Sequence, residues 1–130
     1  GSEMCIRDRG YIQEMVKTIR GLGGIAITST QGMQDLFSLD NGKYGKGILD
    51  SSRIKIVMQM EEQEARLIQN VLNLSEEEVR QITRFRRGEG LLCIGYNHVP
   101  IAFYATQKEY DAITTSPTDL LNRNIKNETV

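Results

Sequence analysis

The chain has 130 residues, of which 39% are hydrophobic and 25% charged, a balance typical of one globular domain with a core of its own. Its 16 basic and 17 acidic residues give a formal net charge of -1, which argues against a dedicated nucleic-acid binder. Cys5 and Cys93 stand far apart without other thiols, so neither a disulfide framework nor a zinc site is indicated. No apolar run approaches the ~20 residues of a membrane span.

The first ten residues differ from the rest. Gly1-Ser2 has the form of a tag remnant, and residues 3–9 show no periodicity. We therefore interpret residues 1–10 as a tag or artefactual leader. Residues 4–9 (MCIRDR) also resemble translated sequencing-adapter sequence, which predicts that the natural protein is longer upstream.

The next elements alternate helix and strand. Residues 11–19 predict a short helix ended by glycines, because apolar side chains recur at helical spacing (Ile12, Met15, Val16 and Ile19). Residues 25–30 (IAITST) are apolar and β-branched and predict a buried strand of a mostly parallel sheet. Gln31 stands at its C-terminal end. A short helix at residues 33–39 follows, and residues 40–47 predict a turning surface loop.

The middle of the chain predicts a strand and two helices. Residues 53–60 alternate, which predicts a strand near the sheet edge with one face more buried than the other. Residues 61–72 predict an amphipathic α-helix, because apolar side chains recur on one face. Glutamates stand at its start, where the helix dipole favours negative charge. Ser75 and Glu78 form the capping-box pattern of a second helix, whose C-terminal end is basic (Arg80, Arg84, Arg86 and Arg87).

The last part predicts a β-hairpin. Residues 91–96 and 99–104 form two strand patterns joined by Asn97-His98, and Pro100 places the second strand at an edge. A short helix is predicted over residues 108–113, and the polar residues 114–130 predict a flexible tail. The order of elements predicts an α/β fold whose ligands bind at the C-terminal ends of strands, where Gln31 lies.

Several runs together resemble one known family. They are residues 23–36 (GGIAITSTQGMQDL), 48–52 (ILDSS), Lys55, 74–78 (LSEEE), 87–92 (RGEGLL) and 99–100 (VP). In this order and spacing, over residues 11–105, the chain resembles the C-terminal part of the conjugal transfer and type IV secretion ATPases of the TraC/TraE and VirB type, which are FtsK/HerA-like P-loop motors.

The resemblance implies a fold and a setting. The fold would be the C-terminal portion of a RecA-like P-loop NTPase sheet, with flanking helices and a terminal β-hairpin, over residues 11–113. The full-length family protein would bind ATP and Mg and form hexamers. It would act with other type IV secretion components at the cytoplasmic face of the bacterial inner membrane, without inserting into it. Self-association, including a dimer, is expected of a fragment.

The resemblance also implies catalytic residues. A glutamine at a strand end has the donor and acceptor needed to position an attacking water and to sense the γ-phosphate, which assigns Gln31. An arginine supplied to a neighbouring subunit would neutralise charge in the transition state. Arg20, Arg86 and Arg87 are the candidates by motif position, and the sequence does not rank them.

The chain departs from the family pattern in one respect. It contains no G-x-x-x-x-G-K-[ST] run to cradle phosphates, and residues 42–47 (GKYGKG) have the wrong spacing, so they are interpreted as a flexible loop. Residues 56–62 only superficially resemble a hydrophobic strand ending in Asp-Glu. We therefore expect no cofactor, and no ATP hydrolysis, for this chain alone.

Two other functions stay open. The first is a non-enzymatic interaction module that binds a partner protein through the hairpin edge and the helix at residues 61–72. The second is nucleic-acid binding through the arginine cluster, which no aromatic platform accompanies. His98 is predicted to be an exposed turn residue, and Cys93 an inert core thiol.

Overall fold

The computed structural model describes residue 11, residues 14–38 and residues 40–128, so the predicted leader at residues 1–10 lies outside the described residues. The helices are α1 (Met33–Phe37), α2 (Lys43–Ser51), α3 (Glu62–Leu72), α4 (Glu76–Arg84), α5 (Gln107–Ile113) and α6 (Pro117–Glu128). The strands are β1 (Ile54–Met58), β2 (Glu89–Ile94) and β3 (Asn97–Ala102). The fold is therefore mixed α/β, with a terminal hairpin, as the sequence predicts.

Helices α3 and α4 form the centre of the core. Asn73 ends α3 in the left-handed conformation with φ 54°, which asparagine tolerates well. Ser75 then begins α4 with the predicted capping box, since its side chain accepts from the N–H of Glu78 and the Glu78 carboxylate accepts from the N–H of Ser75. The apolar sides of both helices are buried (Ala65, Ile68, Leu72, Val79 and Ile82), and they pack against the sheet.

The three strands form one antiparallel sheet in the order β1-β2-β3. Within the described part of the chain, β1 and β3, which contains Pro100, are the edge strands of this sheet, as predicted. The hairpin turn is Gly95-Tyr96, so the predicted turn at Asn97-His98 was wrong. Gly95 supplies the positive φ of 60° that a tight turn requires, and both Asn97 and His98 are paired in β3.

The two faces of the sheet have different environments. Val57, Leu91 and Cys93 face the helices and are 6%, 1% and 3% exposed. On the other face Ile54, Ile56 and Met58 of β1 are 62%, 49% and 41% exposed. One face of β1 is more buried, as predicted, but it is the face that holds Val57 and Lys55, not the isoleucine face. On this face Nζ of Lys55 donates to the Ser52 carbonyl, which satisfies its ammonium group.

Residues 25–30 do not form the predicted buried strand. They have no regular secondary structure, and Ile25 and Ile27 are 86% and 90% exposed. A strand needs a neighbour to satisfy its N–H and C=O groups, and no strand in the described part of the chain lies beside these residues. The mostly parallel sheet is therefore replaced, within the described residues, by an antiparallel one.

The predicted surface loop at residues 40–47 was also wrong in part, because residues 43–51 form α2. Gly42 and Gly45 are buried. A Cβ at Gly45 would lie 2.6 Å from the carbonyl oxygen of Leu36, closer than any real contact. The glycine therefore lets α2 approach α1 closely.

The ends of the described chain are helical. Residues 14–18 form a helix, followed by a 3-10 turn at Ile19–Leu22 that Gly23 closes with φ 75°. At the other end, α5 has the capping box of Thr106 and Glu109, and α6 occupies part of the segment predicted to be a flexible tail. Among the residues that the structure describes, no helix has the length and apolar character needed to cross a membrane.

Candidate functional site

Gln31 lies on a short turn stabilised by its neighbours. The hydroxyl of Thr30 donates to the carbonyl of Gly32 at 3.1 Å and accepts from the Gly32 N–H at 3.4 Å. A threonine hydroxyl can do both, because it is a donor and an acceptor. These contacts bend the chain around residue 31, and the side chain of Gln31 is exposed.

A glutamate from α3 anchors this turn to the core. The N–H of Met33, the first residue of α1, donates to Oε1 of Glu64 at 3.2 Å. The carboxylate thus satisfies one of the unpaired N–H groups at the start of a helix. Glu64 lies in the first turn of α3, directly after β1 in the chain. The turn that carries Gln31 is therefore held against the first turn of α3, although residues 25–30 are not a strand.

Arg86 and Arg87 lie in a closed loop between α4 and β2. The N–H of Arg86 donates to Oε2 of Glu89 at 2.7 Å, and the N–H of Glu89 donates to the carbonyl of Arg86 at 3.0 Å. Gly88 has a φ of 87°, and its carbonyl accepts from the N–H of Phe103 at 2.7 Å. These bonds fix the backbone that carries both arginines. Glu89, the first residue of β2, closes this loop with its carboxylate and its N–H.

The guanidinium groups of Arg86 and Arg87 differ from those of two arginines nearby. Arg66 pairs with Glu76 at 2.8 Å and with Glu62 at 3.2 Å, and Arg80 pairs with Glu77 at 2.9 Å. Arg86 and Arg87 are exposed, and the structure records no ion pair between them and another described residue. Their charge is therefore open to a group from outside this chain.

The four candidate residues are not all brought together. Arg20 is exposed on the 3-10 turn Ile19–Leu22. Within the described part of the chain, no hydrogen bond or ion pair joins Gln31 to Arg20, Arg86 or Arg87. Arg86 and Arg87 share one loop because they are sequence neighbours, whereas Gln31 and Arg20 belong to other parts of the fold. The catalytic assignment of these residues stays a prediction.

His98 was predicted to be exposed, which was wrong. Its side chain is 10% exposed, and Nδ1 lies 2.6 Å from Oε1 of Glu78. The other oxygen of Glu78 accepts the N–H of Ser75 at 2.7 Å. Burial raises the pKa of Glu78, but the hydrogen bonds from Ser75 and His98 outweigh it, so the net pKa is lowered. One carboxylate thus joins the start of α4 to β3.

Cys93 is buried as predicted. Burial is the main cause that raises the pKa of its thiol, and the charge of Glu78 raises it further. Because the thiolate is the nucleophile, a thiol with a raised pKa is unreactive. Cys93 is therefore a core residue and not a candidate catalytic group.

The glycine-rich run at residues 42–47 does not form the flexible loop that the sequence predicts. Gly42 is the N-cap of α2, and Gly45 lies inside the helix, packed against Leu36. This segment is therefore helical and not an open phosphate-binding loop. Within the described residues, no group of three or more His, Cys, Asp or Glu could hold a metal ion.

The structure is similar to a solved structure of a known protein. The structure matches that of VirB4 of Thermoanaerobacter pseudethanolicus with a TM-score of 0.72 and 27% sequence identity. The match covers 79% of this chain, and 28% of the VirB4 chain. Neither protein-family models nor curated proteins match. The similarity to VirB4 confirms the resemblance that the motifs of the sequence indicate, and this chain spans less than a third of the length of VirB4.

Proposed function

We propose that this chain is a piece of a type IV secretion motor ATPase in which Gln31, Arg20, Arg86 and Arg87 act on a nucleotide held by other parts of the motor. The observation that carries the proposal is the structural match to VirB4, over 79% of this chain. In the motor, residues 25–30 would add to a RecA-like sheet. The motor would work in conjugative transfer, as a hexamer at the cytoplasmic face of the membrane.

The geometry supports a role for Arg86 and Arg87 at a subunit boundary. An arginine that stabilises charge in a neighbouring site must be held by a rigid backbone and must be free of internal ion pairs. The loop closed by Arg86 and Glu89 meets the first condition. Both side chains are exposed, and the structure records no ion pair between them and another described residue, which supports the second condition. Gln31 also combines a fixed backbone with an exposed side chain, because the turn that carries it is anchored by Glu64.

The experiment measures nucleotide binding and ATP hydrolysis by the 130-residue chain and by a longer protein translated from the upstream reading frame. We expect neither activity in the shorter chain and both in the longer one. An inactive longer protein that binds no nucleotide would contradict the proposal and favour a protein-interaction module.

Substitutions in the longer protein test the named residues. A charge-stabilising arginine is worth about 10³-fold or more in turnover, so we expect Arg86→Ala or Arg87→Ala to lower kcat by that order while ATP still binds. Gln31→Ala should also lower kcat. Arg80→Ala is the matched control, because Arg80 is already paired with Glu77. Equal activity in all variants would remove these residues from the site.

A further inference from the structure

The loop at residues 86–89, named the arginine loop, is closed by a single side chain. Oε2 of Glu89 accepts from the Arg86 N–H at 2.7 Å, and the Glu89 N–H donates to the Arg86 carbonyl at 3.0 Å. Phe85 ends α4 with an extended ψ of 140°, so the Arg86 N–H lies outside the hydrogen bonds of the helix. The structure records no other acceptor for it among the described residues. Both polar backbone groups of Arg86 are therefore satisfied by Glu89.

The backbone of the arginine loop is fixed at its other end by the hairpin. Glu89 pairs with Ala102 of β3, and the N–H of Phe103 donates to the Gly88 carbonyl at 2.7 Å. Gly88 has a φ of 87°, and a Cβ there would lie 2.8 Å from the carbonyl oxygen of Phe103. Glycine is therefore required at this position. On the helix side, the tie that a side chain provides is the Glu89 carboxylate.

Glu64 has the same relation to the segment that follows Gln31. Gly32 is the N-cap of α1 and makes no side-chain cap. Oε1 of Glu64 instead accepts from the N–H of Met33 at 3.2 Å, in place of a capping side chain at the start of the helix. This carboxylate comes from α3, 31 positions away in the chain. It therefore ties the Gln31 turn to the core.

Both carboxylates bind backbone, whereas a glutamate nearby binds an arginine side chain. Glu77 pairs with Arg80 at 2.9 Å. Within the described part of the chain, the structure records no ion pair for Glu64 or Glu89. A carboxylate that paired with the Arg86 guanidinium would neutralise its charge. Bonding to the backbone N–H fixes the chain and leaves that charge available to another group.

We infer that Glu64 and Glu89 are positioning residues of the nucleotide site, which hold the Gln31 turn and the arginine loop through backbone N–H groups. The inference rests on the proposed function and deepens it. Each glutamate acts as a hydrogen-bond acceptor, and neither is a base or a ligand of the nucleotide. Glutamine also carries a side-chain oxygen that accepts, so it should replace either glutamate, whereas alanine should not.

The first test measures amide hydrogen exchange by NMR in the 130-residue chain. Glu89→Ala should speed exchange of the Arg86 N–H at least about tenfold and leave that of Met33 unchanged, because each carboxylate bonds one of the two. Glu64→Ala should do the reverse, so each variant is the control for the other. Unchanged exchange at the bonded N–H would overturn the inference. So would glutamine variants that exchange as fast as the alanine variants.

The second test measures ATP hydrolysis by the longer protein. Glu89→Ala should lower kcat at least about tenfold and change the KM for ATP by less than about threefold, because the arginines act on the transition state. Glu89→Gln should keep most of the turnover. Glu77→Ala is the matched control, since its carboxylate binds the Arg80 side chain and not a backbone N–H. Glu64→Ala should cause no further loss when Gln31 is already alanine, because it acts through that residue.

The outcomes separate this inference from the proposed function. Loss of turnover in Arg86→Ala or Arg87→Ala, with full turnover in Glu89→Ala, would overturn the inference and leave the proposed function standing. A further loss on adding Glu89→Ala to a protein that lacks both arginines would also overturn it, because the glutamate would then act by itself. Full turnover in the arginine variants would overturn both.

Discussion

The segment from β1 to β3 contains the buried core, whereas several apolar side chains of the segment before it are exposed. Among the residues that the structure describes, all nine buried core residues belong to the first segment, from Val57 to Cys93. In the earlier segment Leu22, Ile25 and Ile27 are 85%, 86% and 90% exposed. Leu22, Ile25 and Ile27 thus contribute little to the core, whereas Met33, Phe37 and Leu49 of the same segment pack against it. The comparison teaches that burial follows from having a partner element, and not from hydrophobicity alone.

The largest expected effect comes from truncating the core. Ile82 is 0% exposed, so Ile82→Ala should leave a cavity and lower the free energy of unfolding by about 2–5 kcal/mol. Ile27→Ala is the matched control at an exposed position and should change it by less than about 0.5 kcal/mol. Urea denaturation measures both. A large loss for Ile27→Ala would show that residues 25–30 are packed and would break the comparison.

A smaller effect is expected at Gly45, where α2 packs closely against α1 in the earlier segment. Gly45→Ala would place a methyl group 2.6 Å from the Leu36 carbonyl oxygen, and overpacking of this kind costs about 1–3 kcal/mol. Gly21→Ala is the control, because a Cβ there meets nothing within 4 Å. Urea denaturation should separate the two variants. Equal stability would mean that α1 and α2 are not in close contact.

The two capping boxes allow the same motif to be compared in a helix that contributes to the core, α4, and in one that does not, α5. Ser75→Ala removes the cap of α4, which contributes Val79 and Ile82 to the core, and should cost about 0.5–2 kcal/mol of global stability. Thr106→Ala removes the same motif from α5, which has no buried residue. It should speed hydrogen exchange in α5 and leave the global transition unchanged. Equal global losses would place α5 in the same cooperative unit as α4.

The smallest expected effect is a dependence on pH. Because the pKa of Glu78 is lowered in the folded protein, its contribution is present above the ordinary glutamate pKa of about 4.3. The contribution is lost as the pH falls through the folded value. Glu78→Gln should therefore flatten the acid limb of a plot of stability against pH. Glu77→Gln, on the exposed face of α4, should leave that limb in place.

The elements predicted best from the sequence are those whose signals are local. Ser75 and Glu78 are three residues apart and define the start of α4, and the apolar spacing of α3 needs no distant partner. The turn was misplaced because the strand pattern outweighed Gly95, whose positive φ decides where the hairpin reverses. The loop at residues 40–47 was misread because a helix can contain Gly45 when close packing against Leu36 requires it.

Contacts between distant residues could not be predicted. His98 reaches Glu78 across 20 positions in the chain, and nothing near His98 in the sequence signals this half-buried hydrogen bond. Glu64 likewise anchors Met33 from 31 positions away. For the candidate site, the sequence identified Gln31 and the arginines through a resemblance, whereas the loop that fixes Arg86 and Arg87 became visible only in the structure.

Because Cys93 is buried, the reaction of its thiol with a reagent would measure how often the core opens. The thiol lies beneath the helices and is 3% exposed, so a thiol reagent can reach it only when the sheet separates from α3 and α4. The rate of labelling at Cys93 in a Cys5→Ser variant would then measure how often that separation occurs. Comparing this rate with that of global unfolding would reveal whether the hairpin detaches alone or together with the rest of the core.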